Sequence, residues 1–186
     1  CGSGTIPIEA ALYGHNIAPG INRSFISEQW VNLVPDGLSD EVRDEADSLA
    51  NYDIELDIHG YDIDQNMIDI AQENSRAAGL THDITFKQLA VKDWQTSEVN
   101  GVIVANPPYG ERLSDKESVH ELYRQMGELY RPLTTWSKYI LTADMEFEKY
   151  YGAPATKRRK LYNGALRTDL YQYWGKKDRS KIKSLK

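Results

Sequence analysis

Within four positions, Asn106-Pro107-Pro108-Tyr109 brings together an amide side chain, two prolines and a flat aromatic ring. Neither proline donates a backbone hydrogen bond and both fix φ, so a strand running into them stops abruptly. The preceding run, Gly101-Val102-Ile103-Val104-Ala105, reads as such a strand, apolar throughout and therefore buried. The asparagine side chain, the Pro107 carbonyl and the tyrosine ring are then presented together at the end of a sheet. That set can hold a planar exocyclic amine by its hydrogens beneath a stacking ring. Taken alone, the tetrapeptide is also an ordinary rigid turn, and its meaning depends on what else the chain carries.

The chain opens on Cys1-Gly2-Ser3-Gly4-Thr5, and Gly60-Tyr61-Asp62-Ile63-Asp64 stands between the two motifs. A glycine-rich turn lets a ligand approach the backbone closely and aims the amides of a following helix at it. Asp62 ends an extended run and is placed to hydrogen-bond ribose hydroxyls, as acids at second-strand ends do in dinucleotide folds. The competing reading is a solvated strand-end carboxylate or a helix cap, for which Asp64 is better placed. Glycine turn, strand-end acid and Asn-Pro-Pro-Tyr occur in that order, one per strand.

With these motifs the chain resembles the class I S-adenosylmethionine-dependent methyltransferases that act on exocyclic amino groups. More narrowly, it resembles the THUMP-associated RNA guanine-N2 methyltransferases, which include the bacterial 23S ribosomal RNA enzymes. The narrower resemblance rests on Cys1-Gly2-Ser3-Gly4-Thr5-Ile6-Pro7-Ile8-Glu9-Ala10-Ala11 and on Asn16-Ile17-Ala18-Pro19-Gly20-Ile21-Asn22-Arg23-Ser24-Phe25. Asn106-Pro107-Pro108-Tyr109-Gly110-Glu111-Arg112-Leu113 and Lys160-Leu161-Tyr162-Asn163-Gly164 reinforce it, so it covers nearly the whole chain.

The resemblance implies S-adenosylmethionine as cofactor, RNA (ribosomal RNA above all) as substrate, a THUMP-type RNA-binding domain upstream, cytoplasmic action and no metal. By position, Gly2, Ser3, Gly4 and Thr5 line the methionine part of the cofactor, with Asp62 on the ribose and Ile63 against the adenine. Many relatives carry an acid after the third strand for the adenine amine; here Leu89 and Ala90 stand there, which leaves backbone groups at Ala90 to make that contact. Asp93, further on, reads as a local cap or a surface acid. The catalytic set is Asn106, Pro107, Pro108 and Tyr109. Arg112, just after it, suits a phosphate or a structural salt bridge with equal ease. Competing functions are an N6-adenine-specific DNA methyltransferase, which uses the same tetrapeptide, and a cofactor- or RNA-binding fragment inactive alone.

Composition sets the outer limits. The 186 residues make one domain with a real core, and residues 1–175 are expected to form the methyltransferase domain, with 176–186 a basic tail. The chain starts on a cysteine inside a motif, so a first strand is expected upstream. One cysteine excludes an internal disulfide, and the four histidines form no ligand-spaced cluster with it, which fits a reduced intracellular compartment. No stretch is apolar enough for a membrane span. The net charge of −6 hides an asymmetry: residues 1–156 hold 11 basic against 26 acidic residues, net −15, and residues 157–186 hold 11 against 2, net +9. An acidic body repels nucleic acid, so a polyanionic substrate must meet a local basic surface. Lys157, Arg158, Arg159 and Lys160 supply one; the run from Lys176 to Lys183 supplies another or is a solvated tail.

Strands and helices alternate. A helix over 5–13 carries Pro7 in its first turn, and an acidic helix over about 39–50 places Val42, Ala46 and Leu49 on one face. The long excursion before the second strand is expected to be functional, with Arg23 and Phe25 on the substrate side, the alternative being a lid or packing appendage without chemistry. Asp64 caps a helix that turns Met67, Ile68, Ala71 and Ala78 inward and stops at Gly79. Strands follow at 84–88, 101–105 and 138–142. Between the last two lies a helix with capping-box spacing at Ser114-Asp115-Lys116-Glu117 and a core stripe from Val119 to Leu133. Strands at 159–162 and 167–174 pair antiparallel around Asn163-Gly164. The pattern predicts an α/β, Rossmann-like, doubly wound and mostly parallel sheet ending in a hairpin; the resemblance implies seven strands, the last antiparallel.

Overall fold

The computed structural model describes residues 1–30, 32–109 and 113–176, with the backbone alone at 113–115. The chain divides into two compact units, Cys1–Gln88 and Leu89–Lys186.

In the first unit, α1 (Thr5–Gly14) starts directly after Gly4, and Pro7 sits in its first turn, where a missing N–H costs nothing. After α2 (Leu38–Ser48) come β1 (Ile58–Asp62), α3 (Gln65–Ala77) and β2 (Ile84–Gln88). β1 and β2 pair in parallel from Ile58↔Ile84 to Asp62↔Gln88, with α3 as the crossover. Asp64 caps α3 by accepting from the Asn66 amide, and Gly79, at φ 78, follows its end. Ile8, Ala11, Leu80 and Ile84 form the core, flanked by Leu56, Ile58 and Phe86.

The excursion before β1 keeps its helix at the surface. No residue of α2 is buried, and Val42 and Leu49 both stand more than half exposed. Polar contacts anchor this region instead. Arg43 pairs with Glu28 and donates to the Arg23 carbonyl, while Asn16 donates to the Leu49 carbonyl. Buried His15 ties the segment down, with Nδ1 3.0 Å from the Asn51 carbonyl and Nε2 2.7 Å from Asp83 Oδ1.

The second unit holds β3 (Val102–Ala105), α4 (Leu113–Tyr130), β4 (Ser137–Thr142), α5 (Phe147–Tyr151), β5 (Lys157–Asn163) and β6 (Leu166–Tyr173). The strands form one sheet in the order β3-β4-β6-β5. β3 and β4 run parallel, and β6 runs antiparallel to both β4 and β5. The α4 stripe is core as expected: Val119, Tyr123, Met126 and Tyr130 pack with Ile140, Phe147, Tyr151 and Tyr171. Gly127 permits this, because a Cβ there would stand 2.1 Å from the Tyr151 carbonyl oxygen. Helix α5 has no forerunner in the sequence reading. β3 is less buried than its apolar run suggests; it is the outer strand of this sheet, and Val102 and Val104 lie exposed. The described residues supply six strands, and among them no helix is long and apolar enough to cross a membrane.

Candidate functional site

Two groups of site residues form, one in each unit. In the first, Gly2 (φ 56) and Gly4 (φ 84) hold left-handed backbone that favours glycine. A Cβ on Gly4 would approach the Ala71 Cβ to 2.9 Å, so α1 and α3 meet there only because the side chain is absent. A Cβ on Gly2 would meet nothing within 4 Å, which leaves that side of the turn open to a ligand. The turn is braced by Asn74, whose side-chain amide donates to the Ser3 carbonyl at 2.9 Å, and the Ser3 and Thr5 hydroxyls lie 3.3 Å apart. Ile8 donates to the Gly4 carbonyl, so the amides before it at the α1 start remain for other partners.

Asp62 ends β1 beside this turn. Its Oδ2 accepts from the Gly2 amide at 2.8 Å and from the Cys1 nitrogen at 3.0 Å, and its Oδ1 from the Asp64 amide at 3.1 Å. Burial pushes its carboxyl upward, but hydrogen bonds, led by those from the Asp64 and Gly2 amides, outweigh that and hold it below the usual aspartate range. The carboxylate therefore already organises the glycine turn. Next to it Ile63 is 71% exposed, an apolar side chain offered to solvent. The Ile63 carbonyl is fixed by Gln88 Nε2 at 2.9 Å.

In the second unit, Ala90 has extended backbone and opens a 3-10 turn over Val91–Asp93. Its carbonyl accepts from the Asp93 amide at 3.0 Å, which leaves its own N–H as the group to offer; Asp93 belongs to the turn, as a local role requires.

β3 ends at Ala105 and the tetrapeptide follows at once. Tyr109 folds back so that its hydroxyl donates to Asn106 Oδ1 at 2.6 Å. Burial raises the phenol's pKa, so the hydroxyl keeps its proton and remains a donor. Asn106 Oδ1 has a second lone pair, and among the described residues nothing donates to the Pro107 carbonyl. Two neutral acceptors and a ring thus fall within four residues at the end of β3. Beneath them, buried Tyr123 places its hydroxyl 3.4 Å from the Pro108 carbonyl and 2.9 Å from Thr142 Oγ1. Burial pushes its phenol up to about 12. Glu111 and Arg112 lie outside the described residues.

The basic run lies on β5, the other outer strand. Strand alternation splits it, with Lys157 and Arg159 on one face and Arg158 and Lys160 on the other. Arg158 is committed: it donates to Asp169 Oδ2 at 2.6 Å and lies over the Tyr171 ring. Asp169 is almost wholly buried, and this pair ties the two strands of the hairpin to each other. Lys157 and Arg159 have no ion-pair partner among the described residues, and Lys160 lies over Tyr162 at 5.2 Å. The tail beyond residue 176 lies outside the described residues. In the excursion, Arg23 rests over the half-exposed Phe25 ring at 5.2 Å.

Sequence reading missed Asn74, Gln88, Tyr123 and Thr142. Asn74 and Gln88 sit at polar positions with no motif around them, and Tyr123 was hidden in an apolar stripe.

The family model described as UPF0020, RMKL-like, methyltransferase domain, matches residues 1–172. YpsC of Bacillus subtilis (strain 168), described as a candidate RNA methyltransferase, is 54% identical over 176 residues, 95% of this chain and 46% of YpsC. The ribosomal RNA large subunit methyltransferase K/L of Shewanella amazonensis is 37% identical over 171 residues, 89% of this chain and 24% of that protein. The crystal structure of SMU.472, a candidate methyltransferase complexed with SAH, is alike with a TM-score of 0.91 and 51% identity, covering 96% of this chain and 47% of that one. The chain thus spans half or less of the length of these relatives. Its fold is that of a class I methyltransferase, and it belongs to the UPF0020 family, the RMKL-like methyltransferase domains.

Proposed function

We propose that this chain transfers a methyl group from S-adenosylmethionine to the exocyclic N2 amine of a guanine in 23S ribosomal RNA. The observation that carries the reading is the end of β3, where Asn106 Oδ1 and the Pro107 carbonyl offer acceptors beside the Tyr109 ring. An amine on guanine is a poor nucleophile because its lone pair is delocalised into the ring. Holding both amine hydrogens by neutral acceptors turns that lone pair out of conjugation. The methylated amine then sheds its proton readily, so no strongly basic side chain is needed. Tyr109 stacks on the base, a contact worth about 1–3 kcal/mol on single-strand platforms. A paired base must first be unstacked, which favours a loop or a locally melted stem as target.

When bound, S-adenosylmethionine supplies an electrophilic methyl group. The first unit fits such a ligand: an open glycine turn at Gly2, hydroxyls at Ser3 and Thr5, a carboxylate at Asp62 and an exposed apolar side chain at Ile63. Gly4 shapes the turn, and the Ala90 amide is the backbone group left for the adenine. The chain's part in the reaction is to orient the amine for in-line attack. The methyltransferase domain of the reading spans residues 1–175, its sheet has seven strands, and it works in the cytoplasm without a metal. RNA recognition falls mainly to a THUMP-type domain elsewhere in the protein, with Lys157, Arg159 and Lys160 adding phosphate contacts. The relatives named for RNA, and ribosomal RNA in particular, favour that substrate over DNA. Mass-spectrometric nucleoside analysis of ribosomal RNA from a deletion strain tests this: N2-methylguanosine should be lost at one position, and an unchanged nucleoside profile refutes it.

A further inference from the structure

Below the Asn106–Tyr109 turn, three elements meet through hydrogen bonds that no sequence motif marks. Asp144, just after β4, donates its backbone N–H to Thr142 Oγ1 at 3.1 Å. Thr142 Oγ1 lies 2.9 Å from the Tyr123 hydroxyl of α4, and that hydroxyl lies 3.4 Å from the Pro108 carbonyl. Thr142 and Tyr123 are 1% and 0% exposed, so water does not complete their bonding.

The two ends of this chain fix its direction. An N–H can only donate and a carbonyl can only accept. Tyr123 has one hydroxyl proton and gives it to the Pro108 carbonyl, so the Thr142 proton serves Tyr123, and Thr142 Oγ1 accepts from the Asp144 N–H. Each buried hydroxyl then gives one bond and takes one, and none is left unsatisfied. The chain ends on the peptide that joins Pro108 to Tyr109, one peptide beyond the Pro107 carbonyl that the functional reading reserves for the amine. Both prolines fix φ, so holding the Pro108 carbonyl removes much of the remaining freedom of the turn.

The geometry points to Tyr123 as a positioning residue for methyl transfer, acting through Thr142 on one side and the Pro108 carbonyl on the other. It touches neither base nor cofactor, and it rests on the reading that the Asn106–Tyr109 turn handles the amine. Transfer rate depends steeply on aim, so loosening the turn lowers turnover before it lowers binding.

The test is steady-state and single-turnover methyl transfer by the intact protein to unmodified 23S ribosomal RNA. The variants are Tyr123→Phe, Thr142→Val, Thr142→Ser, the Tyr123→Phe/Thr142→Val double and Asn106→Ala. Tyr123→Phe should lower kcat about five- to tenfold, the loss of one hydrogen bond, with the KM for RNA within about twofold of wild type. Thr142→Val should match it, the double should be no worse than either single, and Thr142→Ser should keep the wild-type rate. The carbonyl carbon of Pro108, followed by NMR in labelled protein, should shift in Tyr123→Phe. A wild-type kcat in Tyr123→Phe beside an inactive Asn106→Ala overturns this proposal and leaves the functional reading standing. An unmoved Pro108 resonance, or additive losses in the double variant, overturns it too. A wild-type rate in Asn106→Ala removes the functional reading itself, and the proposal with it.

Discussion

Replacing Asp62 by alanine should damage folding as well as cofactor binding, because its carboxylate is the acceptor for the glycine turn. The Gly2 and Asp64 amides donate to it at 2.8 and 3.1 Å. Hydrogen bonds to a charged group contribute about 1.5–3 kcal/mol each where the partner is left unsatisfied. The side chain is 20% exposed, so water recovers part of this, and the net loss should be about 2–4 kcal/mol. For a domain of this size that lowers Tm by roughly 5–15 °C. Asp62→Asn keeps one oxygen for one donor and should lose about half as much. The pH dependence follows from the depressed folded pKa. A group whose pKa falls on folding stabilises above its unfolded value, about 3.9 for aspartate, and that stability fades as pH drops through the folded value. Wild type should therefore lose its margin over Asp62→Ala below about pH 4. Thermal melts from pH 3 to 7 measure this, and calorimetry with S-adenosylmethionine should show binding weakened by about 1–3 kcal/mol in the variant. Melts and affinity both unchanged in Asp62→Ala would refute the reasoning.

Removing only the Tyr109 hydroxyl, in Tyr109→Phe, should lower kcat a few-fold by freeing the Asn106 amide, whereas Tyr109→Ala should also raise the KM for RNA; equal effects would show that the ring adds nothing beyond its hydroxyl. Neutralising Lys157, Arg159 and Lys160 to glutamine should flatten the slope of log K for RNA against log salt by up to about three phosphate contacts, with little change in sequence preference; salt titration yielding identical slopes would make the strand a solvated edge. Arg158→Ala should act on stability instead, costing about 1–3 kcal/mol in a denaturant melt, because among the described residues buried Asp169 then keeps only Arg167, at 3.3 Å, as an ion-pair partner. His15 faces an acceptor-only carbonyl and a carboxylate, so both ring nitrogens carry protons. Burial lowers its pKa, but the Asn51 and Asp83 contacts win and raise it. Its stabilisation is full below about pH 6.5 and is lost as pH rises through the folded value, so His15→Gln should flatten the wild-type decline in Tm over that range.

Much of this was readable in advance because the governing forces are local. Proline chemistry stops β3 at Asn106, the Asp64 side chain caps α3, and the spacing from Val119 to Tyr130 marks the buried face of α4. The Asn163-Gly164 turn likewise sets β5 against β6. What stayed hidden depends on partners far along the chain. Periodicity sets Val42, Ala46 and Leu49 on one face of α2, but the anchors of this region are Arg43 to Glu28 and Asn16 to Leu49, which no periodicity reveals. Helix α5 has five residues, too few for a helical period, and exists because Phe147 and Tyr151 fill a gap among aromatic rings. The run Lys157-Arg158-Arg159-Lys160 looked uniform, and only the pairing of β5 with β6 shows that Arg158 is tied to Asp169. In the site, residue types were legible and their couplings were not: Asp62 to the glycine turn, Gln88 to Ile63 and Tyr123 to Pro108.

The most direct measurement is single-turnover methyl transfer to ribosomal RNA by wild type and Asn106→Ala, with the methylated nucleoside identified by mass spectrometry. Wild type should yield N2-methylguanosine. Asn106→Ala should be slower by about a hundredfold or more, with its calorimetric affinity for S-adenosylmethionine nearly unchanged, as befits a residue that aims the amine. A near-normal rate in Asn106→Ala, or a methyl group found on adenine N6, would contradict the account.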